Sequence, residues 1–223
     1  METIGNESKA KRFGKAAIDI VSFAALAVII ITIISVPFAT VLLKLGKEEA
    51  DTMSYFILSE TLMLAGVFLS AWIVWHLRGF SLEGLGRSFT MRWKDWLSGI
   101  LLATVLYAVG FGISLWAGAV EIAGVAFNPS SLLISLVFFL LVAVTEELAL
   151  RGFVLERLLQ SGVNKFCALF LSAALFSLIH IGNPNFDFLS FINILLAGIL
   201  LGSSYIYTRN PVSYTHLTLP TNR

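Results

Sequence analysis

The sequence predicts an all-α fold, a polytopic bundle of transmembrane helices. Of the 223 residues, 57% are hydrophobic and only 13% are charged, whereas soluble domains average about 25% charged residues. The mean hydropathy is +0.87. The apolar residues also gather into six runs, most of them long enough to cross a hydrocarbon core of roughly 30 Å. Six transmembrane spans are therefore expected here.

The first two spans follow a polar N-terminal segment, residues 1–16. The first is predicted over residues 17–43, a run too long for a signal-peptide core, so it is expected to be retained. Asp19 lies near its start, at the expected depth of the membrane interface. The second span is predicted over residues 55–75. Glu60 lies one to two turns inside it and either lines a cavity or lies at the interface.

The middle of the chain combines a surface segment with a third span. Residues 76–96 are polar with interspersed aromatic residues, which is typical of a stretch lying along the membrane surface. The third span is predicted over residues 97–120. Because small residues let helix backbones approach closely, its glycines place this helix inside the bundle.

The last three spans carry the polar residues of most interest. The fourth is expected to continue as a helix until Gly162 breaks it, and the sixth contains the small-residue repeat Gly198–x–x–x–Gly202. The spans are predicted from residue 131 through 147, over 164–181 and over 188–207.

Charge predicts the orientation and excludes one class of partner. With the N-terminus in the cytoplasm, twelve lysine and arginine residues fall on the inside and only Lys44 and Lys47 on the outside, a strong positive-inside signal. The chain is therefore expected to be a multi-pass protein of a cell membrane, with the lipid bilayer as a partner. The net charge of +1 argues against nucleic acid as a partner.

Glu146, Glu147 and Arg151 end the apolar run that begins at Leu132. Ionisable residues in such a run indicate a functional site by default. Glu147 and Arg151 are four residues apart and face each other on a helix, whereas Glu146 is rotated by about 100°. We therefore expect a Glu147–Arg151 ion pair and a Glu146 carboxylate left for chemistry. The alternative is a solvated helix end just outside the membrane.

His180 is the one histidine inside a predicted span, and helix-hairpin arithmetic links it to Glu146. If the turn centres on Gly162, the two residues lie sixteen positions before it and eighteen after it. Their depths then differ by about 3 Å. Phe176, four residues earlier, shares a helix face with His180. A carboxylate and an imidazole at one depth can take a proton from water. The alternative is a core histidine bonded to a backbone carbonyl.

Glu146–Glu147–x–x–x–Arg151 followed by Phe176–x–x–x–His180 on consecutive membrane helices resembles the CPBP family. This family includes type II CAAX prenyl proteases and the Abi bacteriocin-processing and immunity proteins. The resemblance covers about residues 90–210 and implies a bundle of about eight helices, six of which are expected in this chain. It also implies a bacterial intramembrane endopeptidase, described both as glutamate-dependent and as a metalloprotease. It implies Glu146 as the base that activates water, His180 as its partner, and Glu147 and Arg151 as a supporting pair. The substrate would be a peptide or membrane protein.

No cofactor is expected. One carboxylate pair and one histidine fall short of the three protein ligands usual at catalytic zinc, so a divalent metal is only weakly supported.

The chain departs from the family pattern after residue 209. Family members continue into a helix with His-x-x-x-Asn or Asp, thought to stabilise the oxyanion, and His216 is followed four positions later by Pro220. Residues 212–223 resemble a translated sequencing adapter, which leaves residues 17–210 as the membrane domain. We therefore expect residues 1–223 to be inactive or very slow.

Two other functions are compatible with the same residues. One is a non-catalytic immunity or scaffold protein of the same fold, in which the buried charges hold the bundle or bind a partner. The other is a proton-coupled transporter in which Glu146, Glu147 and His180 line an ion path. The sequence fixes no oligomeric state.

Overall fold

The computed structural model describes residues 8–45, 53–79, 93–124 and 127–208. Within those ranges every regular element is a helix, so the predicted all-α fold class is confirmed. The elements are α1 (Lys9–Leu45), α2 (Met53–Arg78), α3 (Trp93–Trp116), α4 (Pro129–Glu146), a π-helical segment (Glu147–Leu155), α5 (Glu156–Gln160), α6 (Lys165–Ile179) and α7 (Phe188–Thr208).

Among the described residues, five stretches of helix are long and apolar enough to cross a membrane, and α4, the π-helical segment and α5 together form one of them. The fifth predicted span, over residues 164–181, is shorter than expected. It corresponds to α6, whose 15 residues rise only about 22 Å. A helix of that length does not cross a core of roughly 30 Å. The turns between the helices contain glycine and asparagine residues that end or cap the helices.

The turn between α5 and α6 reverses the chain where the sequence predicted. Gly162 has φ +79°, a left-handed conformation that favours glycine and ends the preceding helix. The next helix is capped by Asn164, whose side-chain oxygen accepts a hydrogen bond from the Phe166 N–H at 2.9 Å. α4 begins in the same way with Asn128, which accepts bonds from the N–H groups of Ser130 and Ser131. These turns define the hairpin that carries the predicted site residues.

The π-helical segment lies between two hydrophobic clusters. Its residues 150–155 are all buried. Leu150, Val154 and Leu155 pack with residues of α6 and α7. Phe153 packs instead with α1 and α2, where its ring stacks on Phe23 with centroids 4.2 Å apart. Because both halves of the bundle bury side chains against this one segment, its backbone is held from two sides.

α6 and α7 approach closely through the predicted small-residue repeat. A Cβ atom added at Gly198 would lie 3.0 Å from the Ala173 backbone, and one at Gly202 would lie 2.6 Å from Leu169. The Ser177 hydroxyl also donates a hydrogen bond across the interface to the Phe191 carbonyl at 2.8 Å. The prediction that this repeat serves close helix packing is confirmed.

The prediction that α3 lies inside the bundle is wrong. No described side chain of α3 is buried, and a Cβ atom at Gly99, Gly110 or Gly112 would meet nothing within 4 Å. Small residues permit close helix contact but do not supply an attraction of their own.

α1 and α2 are tied to the C-terminal half by a buried carboxylate. Asp19 is 1% exposed, and its two oxygens accept bonds from the Nε groups of Arg78 at 2.5 Å and Arg157 at 2.7 Å. The sequence placed Asp19 near the start of a span but indicated neither arginine as its partner. This contact fixes the end of the bundle that contains Gly162.

Several expectations lie outside the described residues. They concern residues 80–92 of the predicted surface segment, the first seven residues and the tail from residue 209. The orientation of the bundle in the membrane also stays a prediction.

Candidate active site

The structure brings Glu146 and His180 together from different helices. Glu146 is the last residue of α4, and His180 follows the last residue of α6 with φ −89° and ψ 0°. This is the bridge region, where many active-site residues occur. Nε2 of His180 lies 3.4 Å from Oε1 of Glu146. The two side chains are 20% and 29% exposed, respectively, so a small molecule can reach both.

The other ring nitrogen of His180 defines which tautomer is present. Nδ1 lies 2.7 Å from the backbone carbonyl oxygen of Phe176. A carbonyl oxygen only accepts hydrogen bonds, so Nδ1 carries a proton. In the neutral form of the ring the lone pair of Nε2 then faces Glu146. The alternative of a histidine bonded to a backbone carbonyl is therefore also realised, through the other nitrogen. Both contacts act on the same ring, and together they fix its orientation.

Glu147 and Arg151 form the second charged pair. Nη1 of Arg151 lies 3.2 Å from Oε1 of Glu147. The Arg151 side chain is 2% exposed, and its Nη1 and Nη2 atoms have no hydrogen-bond partner. The alternative of a solvated helix end is wrong for this arginine. The pairing leaves Glu146 free to face His180.

Phe176 lies between the two charged pairs. The guanidinium carbon of Arg151 is 4.6 Å from the centroid of the Phe176 ring, a distance typical of a cation–π contact. The ring meets the imidazole of His180 edge-on, with centroids 4.8 Å apart. One aromatic side chain therefore contacts both the arginine and the histidine.

The backbone near Glu146 departs from a regular α-helix. The wider turn begins at Glu147, and π-helical turns occur frequently at functional sites. The hydroxyl of Ser172, on α6, donates a hydrogen bond to the Leu150 carbonyl within this segment at 3.2 Å. This cross-link holds the π-helical segment against the helix that ends at His180.

Glu60 is the site residue that the sequence left open. It faces α4 from α2, interacts with the Thr145 hydroxyl, and lies within electrostatic range of Glu146. Thr145 itself is 2% exposed and was missed by sequence reasoning. Its position immediately before Glu146 is the one signal in the sequence that points to it.

The donor set does not fit a zinc ion. Among the residues that the structure describes, no group of three or more His, Cys, Asp or Glu side chains could hold a metal ion. Glu146 and His180 supply two donors, whereas catalytic zinc sites use three protein ligands.

Residues 128–218 match the family model described as type II CAAX prenyl endopeptidase Rce1-like. No curated protein and no solved structure matches the chain. The matched stretch contains both motifs on which the predicted resemblance depends, and it ends inside the tail that the sequence analysis set aside. The predicted family resemblance is confirmed over this stretch, and it supports a CAAX-type intramembrane protease in general terms.

Proposed function

We propose that the chain is a glutamate-type intramembrane endopeptidase of the CAAX-protease kind, in which Glu146 and His180 activate a water molecule. The observation that carries the proposal is the 3.4 Å distance between His180 Nε2 and Glu146 Oε1. The two groups are contributed by helices that meet only in the folded bundle. Glu146 and His180 can therefore activate a water molecule next to a substrate that is bound beside them.

The geometry suits general base catalysis. In the reactive state, a neutral Nε2 and an ionised Glu146 oxygen are both acceptors, so a water molecule about 2.8 Å from each donates its two protons to them. As the water oxygen attacks the peptide carbonyl carbon, one of these protons passes to Glu146, which acts as the general base. The same proton is then available for the leaving amine when the tetrahedral intermediate breaks down.

Glu147, Arg151 and Phe176 act as positioning residues in this scheme. The ion pair between Glu147 and Arg151 keeps the guanidinium from drawing Glu146 away from His180. Phe176 holds the imidazole through its carbonyl and its ring edge. A displacement of about 1 Å in such a constellation costs about 10²-fold in rate.

The proposed substrate is a peptide or a membrane protein that reaches the site from the bilayer. For a CAAX-type protease the natural first probe is a peptide with a prenylated C-terminal tail. With the N-terminus in the cytoplasm, the Gly162 end of the bundle lies on the cytoplasmic side. A bacterial membrane location and the bacteriocin-processing branch of the family belong to the same proposal.

The test is cleavage of a prenylated C-terminal peptide by residues 1–223 in lipid vesicles. We expect slow cleavage, about 10²–10³-fold below that of an enzyme with a complete oxyanion site, because the sequence supplies no His-x-x-x-Asn motif. Glu146→Gln and His180→Gln should abolish it. The control Glu121→Gln also replaces a glutamate by glutamine, but at an exposed position, and it should leave the rate unchanged.

Two outcomes would contradict the proposal. Cleavage that survives Glu146→Gln would remove the assigned base. A proton flux across the vesicle membrane that disappears in Glu146→Gln, without any peptide cleavage, would favour a transporter.

A further inference from the structure

Three arginines meet at the end of the bundle that contains Gly162. Arg78 of α2 and Arg157 of α5 both bind Asp19 of α1 through their Nε atoms. The Arg12 guanidinium group lies against the turn at Gly162, where a Cβ atom on the glycine would be 3.5 Å from Nη2. The three guanidinium groups therefore come from three different helices and are brought to this end by folding.

The carboxylate of Asp19 does not neutralise these three cations. It is shared by two of the arginines, and in the described part of the chain no ion pair joins Arg12 to a carboxylate. The Nε atom of Arg12 is inaccessible to solvent and has no hydrogen-bond partner. Arg78 contacts Asp19 through Nε, and its side chain is 44% exposed, so its terminal Nη groups can reach a second acceptor. The cluster therefore retains positive charge and N–H donors.

Neighbouring residues make this end of the bundle more basic. Its described part, residues 9–19, 76–78 and 156–165, contains seven lysine and arginine residues but only two carboxylates. The second carboxylate, Glu156, is 3% exposed and accepts hydrogen bonds from Gln160 and Tyr205, so it offers little compensation at the surface. The basic residues are Lys9, Lys11, Arg12, Lys15, Arg78, Arg157 and Lys165. An anion that approaches this end is therefore attracted to it.

The depth of the arginine cluster indicates which anion it meets. Each of the three arginines lies within three residues of the end of a helical stretch that is long and apolar enough to cross a membrane. Lipid headgroups lie at that depth, just outside the hydrocarbon core. The fork of N–H donors on a guanidinium group matches phosphate oxygens. Anionic lipids are concentrated in the cytoplasmic leaflet, the side on which the charge pattern places this end.

We propose that Arg12, Arg78 and Arg157 bind the phosphate headgroup of an anionic phospholipid. Arg12 and Asp19 lie two turns apart on one face of α1, a rise of about 10 Å. At that separation the arginines around Asp19 and the arginine at Gly162 act together on one headgroup. Asp19 is a positioning residue that orients two of the guanidinium groups. The inference does not depend on peptide cleavage, so a binding measurement tests it.

Native mass spectrometry of the purified chain in detergent measures the binding. The probes are dioleoylphosphatidylglycerol and dioleoylphosphatidylcholine, which has the same acyl chains without a net charge. We expect phosphatidylglycerol to bind about tenfold more tightly. Arg12→Gln should weaken its binding about tenfold, as expected for one lost hydrogen bond to a charged group. The control Lys9→Gln removes the same charge from an exposed position one turn away on α1 and should weaken binding less.

Arg12→Lys provides a second variant if Arg12→Gln does not fold. It keeps the charge but loses the fork of donors, so it should bind phosphatidylglycerol less tightly than the wild type. Unchanged binding in Arg12→Lys, or equal losses in Arg12→Gln and Lys9→Gln, would show a diffuse attraction and overturn the inference. Equal binding of the two lipids would also overturn it. So would displacement of bound phosphatidylglycerol by an equal concentration of inorganic phosphate, because the cluster would then bind a free anion.

Discussion

Removal of the Glu147 side chain should destabilise the fold, whereas removal of the Glu146 charge should not. Arg151 is 2% exposed, and its terminal nitrogens make no hydrogen bonds, so Glu147 at 3.2 Å is its main compensation. Breaking a buried ion pair costs about 3–5 kcal/mol. Because the Glu147 side chain is 45% exposed, we expect Glu147→Ala to lose less, about 2–3 kcal/mol of the free energy of unfolding.

The assay is thermal unfolding of the purified protein in one detergent. A loss of that size lowers the Tm of a chain of this length by about 5–10 °C. The control Glu121→Ala removes an exposed carboxylate, and its Tm should equal that of the wild type. The Tm of Glu146→Gln should also be unchanged. The double variant Glu147→Ala with Arg151→Met should recover part of the loss, because the buried charge is then absent.

An unchanged Tm in Glu147→Ala would refute the division of roles between the two glutamates. Cleavage should fall in the same variant, because the unpaired guanidinium lies close enough to attract Glu146 away from His180. A variant that unfolds early yet cleaves normally would show that the ion pair serves the fold alone.

Three further perturbations address other parts of the bundle. Asp19→Asn should cost about 3 kcal/mol, the lower end for a broken buried ion pair, and should lower the Tm, whereas Glu121→Gln at an exposed position should not. Gly198→Val should cost about 1–3 kcal/mol by overpacking against α6, and unchanged unfolding would contradict the close helix approach. Hydrogen bonds from the Ser190 hydroxyl and N–H lower the pKa of Asp187 below its ordinary value of 3.8. The stabilisation from this cap is present above that value and lost as pH falls through the folded-state pKa, so denaturant unfolding of Asp187→Ala should converge with the wild type in acid.

The meeting of Glu146 and His180 could be predicted because it depends on helix rise and one turn. Gly162 reverses the chain midway between them, and both flanking helices are continuous. The same reasoning applies to Gly198 and Gly202, whose spacing places both on one face of a helix. Such contacts can be predicted from the sequence because they depend only on the geometry of a single helix or of one hairpin.

The carboxylate links across the bundle could not be predicted in the same way. Asp19 and Arg157 lie 138 residues apart in the chain, and nothing local in either segment indicates the other. Glu60 and Thr145 meet for the same reason, through the packing of α2 on α4. The π-helical segment has no local signature either, since its burial depends on distant residues of α1, α2, α6 and α7. The exposed position of α3 shows the converse, because its glycines permit a contact that the described residues do not make.

The short length of α6 has a consequence for how a hydrolase inside a membrane obtains its reactant. The helix ends after about 22 Å, and the chain then turns without regular structure over residues 180–187. Non-helical backbone at membrane depth is tolerated only where protein covers it or water fills a cavity beside it. For the intramembrane protease proposed above, we therefore expect the surrounding lipid to be thinner near His180. Local thinning of the bilayer would bring bulk water to the His180 imidazole. Each water molecule used in hydrolysis could then be replaced without a dedicated channel.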